Sequence, residues 1–192
     1  MTMLRALILA LPILFLGACQ SAPERMPVEE FDGGDELRAL APTDIAVVAV
    51  DARATSRDDA TVIFREFPSD DLREAARHYL IERKSFAVPT SEWVDGTLAR
   101  GGTADLETDA ILEVTVDQWD TEFLAARGVI YAGAEFRLKS SDGKTTLWSY
   151  TCRDRQLPVK APHGGSATHG NMSQAARRLA EDALSRLPRH ER

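Results

Sequence analysis

The stretch Ala110-Ile111-Leu112-Glu113-Val114-Thr115-Val116-Asp117-Gln118-Trp119 sets the reading of the whole chain. Leu112, Val114 and Val116 alternate with Glu113, Thr115 and Asp117, the period-two pattern of a strand with one face on a core and one in water. The pattern returns between Ile130 and Leu138. There Ile130, Ala132, Ala134, Phe136 and Leu138 share one face, while Tyr131, Glu135 and Arg137 share the other. Asp142-Gly143 is a hairpin signal, and Thr146–Cys152 supplies the returning strand. A two-residue turn would set Leu138 against Leu147 and Arg137 against Trp148. A longer turn with a glycine bulge would shift that register.

Upstream, Ile45-Ala46-Val47-Val48-Ala49-Val50 is a continuous apolar run bounded by aspartates, as expected of a strand buried on both faces. A polar loop through Asp58-Asp59 follows, then a helix from about Ser69. Pro68 precedes that helix, and Asp70-Asp71 sit in its first turn, where negative charge suits the helix dipole. Leu72, Ala75, Ala76, Tyr79 and Leu80 give it one apolar face. Phe86-Ala87-Val88 suggests a short strand, and Ser91–Leu98 a second helix stopped at Arg100-Gly101-Gly102. Pro158–Gly170 has the composition of a loop. A last helix begins near Asn171 or Ser173, with Met172, Ala176, Leu179, Ala183 and Leu187 as its stripe and Pro188 as its stop. The resulting order predicts an α/β (α+β) domain, a single mixed β-sheet flanked by helices.

The N-terminus carries a targeting signal. Met1–Arg5 is short and basic, Ala6–Gly17 holds no charge, and Leu16-Gly17-Ala18-Cys19 follows. The apolar run is too short to span a bilayer, which takes about 20 residues. Leu-Gly-Ala-Cys resembles the lipobox of bacterial lipoproteins, in which the cysteine thiol receives diacylglycerol. Residues 1–18 are therefore expected to be a lipoprotein signal peptide and Cys19 the lipidation site. Several acyl chains make the anchoring stable. Gln20, in place of Asp, favours the outer membrane by resemblance to enterobacterial sorting. Residues 19–42 are acidic and rich in Pro and Gly, and are expected to be a flexible tether. Residues 43–192 would form the single domain.

The chain has 23 basic and 30 acidic residues. Loss of residues 1–18 removes Arg5, so the remaining 22 against 30 leave a net charge of −8. That balance disfavours nucleic acid, which needs a cationic surface. With Cys19 acylated, the second of the two cysteines, Cys152, has no internal partner. Its apolar neighbours suggest a buried thiol, the alternative being an intermolecular bridge.

Catalytic chemistry is not legible. His163, His169 and His190 are scattered over a loop and the tail and do not make the compact ligand spacing of a metal site. His163-Gly164-Gly165 lacks a nucleophile elbow. Gly-Gly-Ser-Ala-Thr lacks the lysine of a phosphate loop. The carboxylate pairs Asp58-Asp59, Asp70-Asp71 and Asp117 with Asp120 suit solvation and capping better than acid–base work. No catalytic residue, metal or cofactor is expected. Trp119, Phe123 and Tyr131 bracket a loop and are expected either to pack in the core or to form a recognition surface.

From Asp44 to Asp154 the chain resembles the lipoprotein families whose domain is like the N-terminal domain of TolB, in particular a surface-lipoprotein family with a meningococcal member. The matching pieces are Ile45–Val48, the helix into Phe86-Ala87-Val88-Pro89, Thr108–Val116 with Trp119, and Glu135-Phe136-Arg137-Leu138 with Leu147-Trp148. Lys84-Ser85 stands where the pattern has glycine, and the tail after Arg155 matches poorly. The resemblance implies a non-enzymatic lipoprotein, anchored to a membrane and facing the periplasm. It would be an accessory or scaffold part of an envelope assembly, binding other envelope proteins, with homo-oligomer formation left open. The competing expectations are an auxiliary lipoprotein of an ABC-type lipid or solute transport system and a periplasmic enzyme.

Overall fold

The computed structural model describes residues 26–53, 67–159 and 169–189. The signal peptide, Cys19, Asp58-Asp59, His163 and His190 lie outside them. The elements, in order, are β1 (Val28–Gly33), α1 (Asp35–Leu40), β2 (Ile45–Val47), β3 (Asp51–Ala52), α2 (Ser69–Lys84) and α3 (Ser91–Gly101). A 3-10 turn (Thr103–Leu106) leads into β4 (Ala110–Asp120), α4 (Leu124–Arg127), β5 (Val129–Ser140), β6 (Thr146–Pro158) and α5 (His169–Ser185).

One mixed sheet of six strands runs in the order β1-β6-β5-β4-β2, with β3 also paired to β4. The pairs β4–β5, β5–β6 and β1–β6 are antiparallel, whereas β2 and β3 lie parallel to β4. The alternation seen in sequence produces a sided sheet. Leu112, Val114, Val116, Ala134, Phe136, Leu138, Trp148 and Tyr150 enter the main core. Leu72, Ala76 and Leu80 of α2 and Met172, Ala176, Leu179 and Ala183 of α5 cover that face. The other face stays polar over β4–β6, with ion pairs Lys139–Glu113 at 2.8 Å and Arg137–Glu135 at 2.6 Å. Near β2 it is covered by a smaller cluster of Ala46, Val94, Leu106 and Ile111, which seats α3.

Local chemistry sets the element ends. Thr90 caps α3 by accepting the Trp93 N–H. Ser85 ends α2 at φ 66, a left-handed conformation that suits glycine and that serine adopts here at some cost. Arg73, almost fully buried, leaves α2 to donate to the Val47 carbonyl at 3.0 Å and, through both terminal nitrogens, to the Asp95 carboxylate at 2.8 Å. One side chain thereby joins α2, β2 and α3 across the end of the short parallel strand.

Four expectations change. Residues 28–40 are not tether: β1 pairs with β6 over Val28–Arg153 to Gly33–Trp148, and α1 buries Leu37 in the main core. Their acidic composition comes from Glu29, Glu30 and Asp32 of the strand and Asp35 and Glu36 of α1. The run Ile45–Val50 stays in the sheet only to Val47, before the chain re-enters briefly at β3. Phe86–Val88 reduces to a one-residue parallel bridge between Ala87 and Asp44. The two-residue hairpin register also fails. Leu138 pairs with Trp148, and Arg137 with Ser149. The shift enters past the turn: Lys139 still pairs with Thr146, as a two-residue turn would have it, and a bulge precedes the Leu138–Trp148 pair. Ser140 N–H donates to Thr145 O at 2.9 Å, Gly143 N–H donates to Ser140 O at 2.8 Å, and Gly143 takes φ 71. A one-residue slip moves every side chain to the opposite face, and here it brings Trp148 onto the apolar side.

The docking of β1 is testable at Gly33. Its φ is 122, and an added Cβ would lie 2.7 Å from the Trp148 Cα. Gly33→Ala should lower unfolding free energy by about 2–4 kcal/mol in urea titration. A change within about 0.5 kcal/mol, as at an unstructured position, would contradict the docked strand.

Candidate interaction surface

The groups singled out in sequence do not converge. Cys152 is buried, with Ala134 and Glu29 as its pairing neighbours on either side. Burial pushes its thiol up to about 11. Trp119 is sealed in the core with its ring edge-on to Phe67 at 4.9 Å. Tyr131 is buried as well, and Phe123 packs edge-on against it at 5.5 Å with the Arg127 guanidinium 5.2 Å from the Phe123 ring. Core packing thus claims two of the three aromatics.

The described carboxylates have separate local duties. Asp71 accepts from Ser173 Oγ at 2.7 Å and ties α2 to α5. Asp120 accepts the Glu122 N–H at 2.9 Å in the turn after β4. Asp117 sits at a β4 irregularity beside Gly133, with its Oδ2 3.6 Å from Arg153. His169 opens α5. Among the described residues no group of three or more His, Cys, Asp or Glu is placed to hold a metal.

Two surfaces absent from the sequence reading emerge. The first is the outer edge of β1, the last strand of the sheet on that side. It bears exposed apolar side chains: Met26 is 80 % exposed, Val28 52 % and Phe31 54 %. Phe31 touches Trp148 edge-on at 6.4 Å, but half its surface faces water. An edge strand offers unpaired N–H and C=O groups to another chain. The opposite edge is different, because Ala87 closes it by donating to Thr43 O at 3.1 Å and accepting from Ile45 N at 2.9 Å.

A charge cluster fastens β1 to the body. Glu29 pairs with Arg155, and Arg155 also donates to Asp182 of α5 at 2.8 Å. Arg186 reaches the second Glu29 oxygen at 3.3 Å. These groups are partly shielded, so they fix the position of β1 more than they add to stability.

The second surface is a groove of about 950 Å³ between α2 and α5, lined by His78, Tyr79, Glu82, Arg83, Arg177 and Glu181 among others. At one end Lys84 donates to the carbonyls of Ser185 and Leu187 and so caps α5. Burial, followed by repulsion from Arg189, holds the Lys84 ammonium below the usual lysine range. Charges of both signs line this groove, which suits a polar partner better than a hydrocarbon chain.

Cys152 gives a pH signature. Its pKa rises from 9.0 to about 11 on folding, so the unfolded chain releases this proton first as pH climbs. The associated stability is complete below pH 9 and lost as pH rises through 11, about 2–3 kcal/mol in all. Burial raises Tyr150 in the same direction. Urea midpoints should therefore fall between pH 9 and 11, less steeply in Cys152→Ala. Native-state thiol labelling at about pH 8 should be slower than in urea by on the order of 100-fold. Rapid native labelling would contradict the sealed thiol.

No protein-family model and no curated protein matches the chain. Solved structures do resemble it. A dodecamer of a single-substitution variant of PelC from Paraburkholderia phytofirmans is 19% identical, with a TM-score of 0.53, over 87% of this chain and 100% of that one. A second PelC dodecamer structure from the same organism is 16% identical, with a TM-score of 0.47, over 86% and 100%. Lipoprotein GNA1162 from Neisseria meningitidis is 16% identical, with a TM-score of 0.42, over 73% and 97%. At these identities the first similarity establishes a shared fold, and the two weaker ones add no further argument. Among the described residues no helix is long and apolar enough to cross a membrane.

Proposed function

We propose that this chain is an envelope lipoprotein, anchored through lipid on Cys19, whose domain is a non-catalytic scaffold that binds other envelope proteins and copies of itself. The observation that carries this reading is the asymmetry of the sheet edges. Among the described residues, one edge is bridged by Ala87, while the β1 edge pairs with no further strand and exposes Val28 and Phe31. Such an edge is suited to strand addition or to lateral contact with a neighbouring domain. The fold shared with a protein solved as a dodecamer supports self-association. The TolB-like lipoprotein family remains our assignment, on the sequence pieces that resemble it. The outer membrane is our choice of location, resting on Gln20.

The transport reading calls for a continuous apolar groove, whereas the groove between α2 and α5 is lined mainly by charged side chains. An enzyme would need its acid, base or nucleophile to be accessible together. The burial of Cys152 speaks against a role as nucleophile.

Two experiments test the proposal. Mass spectrometry of protein extracted from membranes should find acyl chains on Cys19, and Cys19→Ala should move the protein to the soluble fraction. An unacylated native protein would overturn the anchor. In detergent, light scattering should give a mass several times that of one chain. Val28→Glu with Phe31→Ser should reduce the apparent association constant at least tenfold while leaving the circular dichroism unchanged. A monomeric parent that also enriches no envelope protein on co-purification, relative to a lipidated control, would overturn the scaffold reading.

A further inference from the structure

The incorporation of residues 28–33 into the sheet leaves very little chain between the anchor and the domain. This inference rests on the lipid anchor proposed above. Met26 is seven residues from Cys19. However those residues are arranged, they span at most about 25 Å. The sheet itself is longer than that. β5 has twelve residues, which at a strand rise of about 3.3 Å make it roughly 40 Å long.

The direction in which β1 leaves the sheet is fixed by its pairing. Gly33 lies beside Trp148, near the end that carries the Ser140–Thr145 hairpin, and Val28 lies beside Arg153. Going back from Gly33, the chain runs towards the other end, where Val129 pairs with Pro158 and the Thr121–Gly128 turn follows β4. Continuing the register places Met26 about level with Arg155. From there the hairpin tip is roughly 35 Å away along the strands, and the Pro158 end only about 10 Å. A connection of about 25 Å reaches a bilayer below the Pro158 end with length to spare. It cannot reach one lying against the hairpin tip.

We infer that the sheet end bearing the Thr121–Gly128 turn and Pro158 faces the lipid surface, and that the hairpin end, with Asp109 and Asp142, faces away from it. Surface chemistry agrees with this orientation. The anchor-side end presents the exposed Met26 and, in the turn, the half-exposed Phe123 with the Arg127 guanidinium against its ring. Aromatic and arginine side chains of this kind suit the headgroup level. The hairpin end gathers Asp32, Asp35, Glu36, Asp109 and Asp142 against Arg38 and Lys144, and the turn Asp120 and Glu122 against Arg127. The larger acidic excess, which anionic headgroups repel, therefore lies at the hairpin end. Protein partners are then met at the hairpin end and along the bare β1 edge, and the lipid at the opposite end.

The lipidated full chain, reconstituted in phosphatidylethanolamine–phosphatidylglycerol vesicles containing a nickel-chelating lipid, tests this directly. Nitroxide labels at Ala126→Cys in the turn and Lys144→Cys in the hairpin are attached to the folded protein, in which Cys152 is sealed. The label at 126 should be relaxed by headgroup nickel at least fivefold more than the label at 144. Insertion of about 20 Gly/Ser residues between Cys19 and Met26 should shrink that difference, because the longer connection frees the domain to turn over. Equal relaxation, or stronger relaxation at 144, in protein whose Cys19 carries lipid would overturn the orientation alone. Absence of lipid on Cys19 by mass spectrometry would overturn the anchor and, with it, the orientation.

Discussion

Phe31, Tyr150, Phe136 and Val114 lie abreast on β1, β6, β5 and β4, and the row they form is the constraint to which the other elements answer. Three of the four are buried, and Tyr150 is flanked by Phe136 at 6.4 Å, ring edge to face, and by Trp148 stacked at 6.5 Å. A sheet carrying this much apolar surface on one side must be covered there, and α2 and α5 do so with Leu80, Leu179 and their neighbours. The same row runs out to the edge at Phe31, where the covering helices no longer shield it. The exposed apolar edge is therefore the end of the core rather than a separate feature.

Polar chemistry finishes what burial begins. Arg73 stitches α2, β2 and α3 together where the parallel strand stops, and it satisfies a carbonyl that the ladder leaves unpaired. Its hydrogen bonds hold the Asp95 carboxyl below the usual range. Thr43, Asp44 and Asp109 interlock at the same end of the sheet through bonds of 2.7 to 2.8 Å. These contacts give the acidic residues there structural partners within the fold. Lys84 serves a comparable purpose at the end of α5.

The functional picture follows from the way a tether becomes a strand. An acidic, Pro- and Gly-bearing segment would ordinarily leave a domain free to sample a wide volume above its membrane. Glu29, gripped by Arg155 and Arg186, and Gly33, pressed onto Trp148, take residues 28–33 out of any such tether. In the lipidated scaffold we propose, anchor, edge strand and sheet act as one unit, and the β1 edge is presented consistently.

Local patterning was enough to specify the sidedness of β4 and β5, the start of α2 at Ser69, the stripe of α5 and the mixed sheet, because each is written as a short period that survives in any tertiary context. It also pointed to the burial of Cys152, through its apolar neighbours. Membership of residues 28–33 in the sheet, by contrast, came only with the folded chain. Val28-Glu29-Glu30-Phe31-Asp32-Gly33 has no alternation of its own, and its place depends on β6, more than a hundred residues away. The hairpin register was likewise beyond local reading. It turns on a bulge between the Lys139–Thr146 and Leu138–Trp148 pairs, which no turn residue announces. The candidate surface was hidden for the same reason: an edge exists only once the strands are ordered, and no residue type announces which strand will be last.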